Sequence, residues 1–139
     1  MTEFDPRYFV KFHFSGRQIE QYLKNALRDL DIAGENRRSE VKFNYSYAAF
    51  IKGGIVILAK VGKVKVRSIP GHHVKIIEKM GEILKDDSIE SIGNTMRTKR
   101  NEDFYSGGIF VSEKEALDFY EFVKEILGKV KDIVKKAGS

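Results

Sequence analysis

Tyr47-Ala-Ala-Phe-Ile-Lys-Gly-Gly-Ile-Val-Ile-Leu-Ala-Lys-Val61 is the most apolar stretch of this 139-residue chain, interrupted only by Lys52, Lys60 and a glycine pair. It is shorter than the roughly 20 residues that span a bilayer, so it reads as a buried helix and not as a membrane anchor. Extended back to Ser39 and stopped at Gly62, it predicts a helix over 39–61 that is apolar around most of its circumference beyond Tyr47. A helix of that kind is surrounded by neighbours. Gly53 and Gly54 each cost about 1 kcal/mol of helix propensity, which close approach of another helix would explain. This is the expected central helix.

Working outward, Ser15 offers an N-cap for a helix through about Ala33, stopped by Gly34. Its apolar residues Ile19, Tyr22, Leu23, Ala26, Leu27 and Leu30 repeat at three and four, as one buried face requires. Residues 35–39 are polar and turn-like. Beyond the central helix, Gly62 to Ile69 alternates apolar and basic residues. With no second strand signal to pair with it, that segment reads as a loop. Pro70 suits a helix start, predicting a third helix to Leu84. A fourth is expected from Ile89 to Phe104, closed by Gly107–Gly108. Ser112 with Glu115 forms a capping box for a fifth, over about Glu113 to Lys136. Residues 1–14 form an arm with five aromatics, either extended or a short helix. The expectation is one all-α domain over 1–139, a five-helix up-and-down bundle.

Hydrophobic residues make up 42% and charged residues 32%, enough for one core and too apolar for a disordered chain. The chain has no cysteine, which removes disulfides, zinc thiolates, iron–sulfur clusters and cysteine nucleophiles. With three histidines, adjacent His72 and His73 pointing apart, and no evident third ligand, neither a metal site nor a cofactor is expected. The first residues carry early acids and lack the order of a secretory leader, so a cytoplasmic location is expected.

Net charge is +5, and its distribution matters more than its total. Lys60 to Lys75 holds five Lys and Arg residues, Arg67 among them, and no acid; Ser91 to Asn101 holds Arg97, Lys99 and Arg100, again without acid. Such local excess attracts phosphate, although a solvated loop has the same composition. On the fourth helix the apolar stripe Ile89, Ile92, Met96 continues to Arg100, which falls within about 40° of Met96. An arginine there is salt-bridged to Glu102, Asp103 or another helix, or it serves an anion site. Asn94, Arg97, Asn101 and Tyr105 share a sector of about 80° beside it. His72 stands at the expected start of the third helix, where backbone N–H groups attract anions.

The stretch Arg97-Thr-Lys-Arg-Asn-Glu-Asp-Phe-Tyr105 resembles the signature of the HEPN domain (higher eukaryotes and prokaryotes nucleotide-binding), in which an arginine and a polar residue precede a histidine. Arg100-Asn101 matches its start, the five-helix layout is similar, and so is the aromatic-rich Asn44 to Phe50. The resemblance implies a homodimer whose fourth helices meet on the two-fold axis. It implies RNA or nucleotide binding, and a metal-independent endoribonuclease paired as a toxin with a minimal nucleotidyltransferase antitoxin. By that resemblance Arg100 binds the scissile phosphate and Asn101 positions it, with Arg97, Lys99, Arg67 and His72 as further RNA-binding groups. The chain departs from the family at Tyr105, which stands where the histidine belongs. Tyrosine, with a pKa near 10, is a poor general base at neutral pH. A non-catalytic dimeric partner or nucleotide-binding module with a degenerate nuclease site is the alternative.

Overall fold

The computed structural model describes residues 3–105 and 111–136, with residues 103–105 as backbone only. Within that range the chain is mostly helical: α1 (Gly16–Glu35), α2 (Ser39–Ile57), α3 (His72–Leu84), α4 (Asp87–Tyr105) and α5 (Glu113–Lys135). Both expected caps are formed. Ser15 Oγ accepts from the Gln18 amide at 3.1 Å while Gln18 Oε1 accepts from the Ser15 amide at 2.9 Å. Ser112 and Glu115 repeat the exchange at the head of α5.

The loop expected over residues 62–69 is instead part of a small sheet. Strand β2 (Val64–Val66) pairs antiparallel with β1 (Phe9–Lys11), Phe9 opposite Val66 and Lys11 opposite Val64. The arm is therefore anchored as a strand, and Phe9 and Phe14 enter the core at 4% and 8% exposure. Alternation along β2 follows from this pairing: Val64 is buried and Lys65 exposed.

Helix boundaries shift for local reasons. The α-helical bonding of α2 ends at Ile57, and residues 58–62 widen into a π-type turn closed by Lys63 at φ 53°. Helix α3 starts at His72 and not at Pro70. Pro70 and Gly71 are the middle of a type II turn, with Gly71 at φ 87° and the His72 amide donating to the Ile69 carbonyl at 3.1 Å. Gly34 lies inside α1 and does not end it. The helix closes one residue later, and a Cβ at Gly34 would come 2.6 Å from the Tyr120 hydroxyl of α5. The Gly107–Gly108 stop lies outside the described residues.

Helix α2 is central and packs against all four other helices. Its glycines do what their propensity cost suggests. A Cβ at Gly53 would run into Leu127 of α5, and one at Gly54 would meet Ile76 and Met80 of α3 at 2.5 and 2.6 Å. The apolar stripe of α4 packs inward as well, with Ile89 and Met96 fully buried and Gly93 against Phe50.

Gly93→Ala places a methyl within 2.7 Å of Phe50 Cζ and 2.9 Å of Ile77 Cγ2, both fully buried. The helix-propensity gain of about 1 kcal/mol is offset by an overpacking cost of about 1–3 kcal/mol. Net destabilisation of up to about 2 kcal/mol is expected, read as a lower urea midpoint at unchanged slope.

Candidate nucleic-acid interface

Helices α3 and α4 run as an antiparallel pair through the Lys85–Asp86 turn, where Lys85 takes φ 54°. Gly81 lies against Ile89, and Ile77 against Gly93. One turn further on, this pairing brings His73 opposite Arg97, with Arg100 the next turn along α4. Helix α2 crosses beneath and contributes Tyr47.

The result is a connected group drawn from three helices. The Arg100 guanidinium lies over the Tyr47 ring, 5.7 Å from its centroid. The Tyr47 hydroxyl shares a 2.9 Å hydrogen bond with His73 Nδ1. His72 packs edge-on against His73 with ring centroids 4.4 Å apart, and its Nδ1–H donates to the Ile69 carbonyl at 2.8 Å. Arg97 is held by Asn94, whose Oδ1 accepts from Nε at 3.1 Å. Among the described residues neither Arg97 nor Arg100 has a carboxylate partner. An exposed arginine stacked on a buried aromatic ring keeps its N–H donors free for a planar anion.

Electrostatics at the two inner groups follow from this geometry. Burial pushes the Tyr47 phenol up to about 12, against the smaller opposing pull of Arg100 and Arg97. His73 is lowered to about 4, first by burial and then by the positive charge of His72, Arg100 and Arg97. At neutral pH the ring is therefore uncharged. His73 is half-buried, and its neutral ring lines the same cleft as the Arg100 guanidinium. That cleft has a volume of about 500 Å³ and is lined by Asn44, Tyr47, Ala48, Ile51, Lys52, Ile55, His73 and Arg100.

The other sequence-selected residues are placed as follows. Asn101 is half-buried on α4, next to Arg100. Tyr105 is the last residue of α4, and its side chain lies outside the description. Lys99 turns to α5, where Glu115 holds its ammonium at 3.2 Å. Arg67 leaves β2 toward the arm and donates to the Pro6 carbonyl at 3.3 Å. His72 borders the cleft through His73. Two members of the cluster, Tyr47 and His73, were not selected as site residues from sequence. Tyr47 reads as core, which at 2% exposure it is, while its ring also carries the arginine.

No group of three or more His, Asp or Glu residues suited to a metal occurs among the described residues, and no described helix is long and apolar enough to cross a membrane. No family model matches the chain, and no curated protein or solved structure matches it.

Proposed function

We propose that this protein binds RNA or nucleotide phosphate in the cleft between α2, α3 and α4. In this reading Arg100 and Arg97 supply the charge and neutral His73 supplies a further polar group. The observation that carries the reading is the Arg100–Tyr47–His73 chain. An arginine with no carboxylate partner among the described residues, a buried phenol hydrogen-bonded to an imidazole, and that half-buried imidazole converge on one concavity. Arg100 is explained by the ring beneath it, which removes the need for the salt bridge that would make it purely structural.

The resemblance to HEPN domains extends the proposal to metal-independent endoribonuclease activity, as of a toxin paired with a minimal nucleotidyltransferase. Arg100 would stabilise the charge that develops on the phosphate as the RNA 2′-hydroxyl attacks it. In this proposal His73, from α3, serves in place of the histidine that the family carries four to six residues after the arginine. The same reading proposes a homodimer through α4. Ile89 and Met96 are consumed by the chain's own core. The exposed stripe Ser91, Thr95, Thr98 and Glu102 is the face left for a second copy, with Arg97 and Asn101 beside it.

Cleavage of end-labelled RNA in EDTA tests the catalytic part. Wild type is expected to cut and leave cyclic phosphate ends, while His73→Gln and Arg100→Ala lose at least tenfold in rate. Binding without cleavage would reduce the proposal to the non-catalytic nucleotide-binding module.

A further inference from the structure

Lys52 and Ile55 line two cavities. One is the cleft of Arg100 and His73; the other is an apolar pocket of about 310 Å³ bounded by Phe14, Tyr22, Asn25 and β2. The two share a wall because Tyr47, Ala48, Ile51, Lys52 and Ile55 form one stripe along α2. From Ala48 to Ile55 that stripe rises about 10 Å. The arginine-lined cleft and the aromatic pocket therefore adjoin along α2, with Lys52 and Ile55 common to both.

The aromatic end has the chemistry of a base platform. The Phe14 ring meets Tyr22 edge-on at 5.5 Å and Phe12 at 4.5 Å. Phe12 is 41% exposed, with Lys65 Nζ 5.7 Å above its ring. Cationic and aromatic side chains thus alternate along the rim, as in proteins that track a single strand. Asn25 adds a polar reader. Its Oδ1 accepts from Gln21 at 3.3 Å, which leaves its NH₂ group open. The volume lies at the small end of ligand pockets, and the wall is predominantly apolar with few polar groups. Lys52, which lines both cavities, is ion-paired with buried Asp29 at 2.6 Å.

We propose that this pocket is a nucleobase subsite, so that a short single-stranded RNA lies along α2 with a phosphate on Arg100 and a base between Tyr22, Ile55 and Val66. This rests on the phosphate reading above and adds the class and placement of what is recognised: unpaired RNA, held by a base as well as by charge. A duplex does not fit, because its bases are stacked and paired away from such a pocket.

The test uses a trinucleotide carrying 2-aminopurine at one end, with ribose 5-phosphate as a baseless probe. Wild type is expected to quench the 2-aminopurine on binding and to hold the trinucleotide at least tenfold more tightly than ribose 5-phosphate. Val66→Trp fills the pocket and should lower trinucleotide affinity about tenfold, while ribose 5-phosphate binding stays within twofold. Asn25→Ala, at a half-buried position of α1, should lower it about threefold without a folding defect. Arg100→Ala should weaken both probes. Unchanged trinucleotide affinity in Val66→Trp and Asn25→Ala, with Arg100→Ala still defective, would overturn the base subsite and leave the phosphate site standing. Wild type binding neither probe would overturn both.

Discussion

Arg100→Ala is expected to reduce affinity for single-stranded RNA by about 10- to 100-fold, the loss of one charge-assisted contact worth about 1.5–3 kcal/mol. The slope of log affinity against log salt should shrink by about 0.7 for each phosphate released. Thermal stability should hardly change. Removing the guanidinium gives up a stack on Tyr47 at 5.7 Å, worth about 0.5–1 kcal/mol at an exposed position. This pairing of large binding loss with small stability loss separates a ligand site from a structural arginine. Filter binding across a salt series, beside a melting curve, reads both. A variant that unfolds readily and binds RNA normally would assign Arg100 to the fold alone.

The second large effect concerns acid stability. His73 titrates near 4 in the folded chain against an ordinary 6.5, so the native state resists a proton that the unfolded state accepts. Stability from this group is fully present above about pH 6.5 and declines as pH falls toward 4, with no further loss below that. The full shift would correspond to about 3 kcal/mol; because the ring is only part-buried, a loss of about 1–3 kcal/mol is expected. His73→Gln should remove this part of the acid sensitivity, leaving only what the carboxylates contribute. Urea denaturation of both proteins at pH 7 and pH 4.5 measures the difference. Equal pH dependence in the two would show that His73 is not held neutral. Arg100→Ala should soften the effect, since Arg100 is among the charges that disfavour the imidazolium.

Most of the helical frame is legible in the residues themselves. Helices α1 and α5 announce their starts through Ser15 with Gln18 and Ser112 with Glu115, and their buried faces through three–four spacing. Helix α2 is legible by the opposite signal, apolar residues all round, and its glycines mark its close approaches to α5 and α3. The sheet is not legible in the same way. Each strand is three residues long, and the partner of Val64–Val66 lies more than fifty residues earlier, hidden in an aromatic arm with no alternation of its own. Gly34 reads as a stop because a glycine near a helix end usually is one, and only the ring of Tyr120 across the interface reveals its other role.

The candidate site divides along the same line. Arg100 stands out because a charge continues an apolar stripe, a signal internal to one helix. Its partners do not, since Tyr47 and His73 belong to other helices and look like core and cap when read alone. One signal was available. With the turn centred on Lys85, counting equally back along α3 and forward along α4 sets His73 against Arg97. That step needs the helices to pair as a hairpin, which periodicity alone does not establish.

The central claim, that the Arg100–His73 cleft takes a phosphate, is tested most directly by following the His73 ring by NMR as pH is varied, with and without saturating nucleotide. Burial holds the imidazole neutral first and the neighbouring charges add to it; a phosphate on Arg100 and Arg97 would offset those charges. The account predicts a midpoint near 4 in the free protein that moves up by a unit or more when nucleotide binds. A His73 resonance that titrates identically in both conditions, while nucleotide is demonstrably bound, would place the ligand elsewhere and contradict the account.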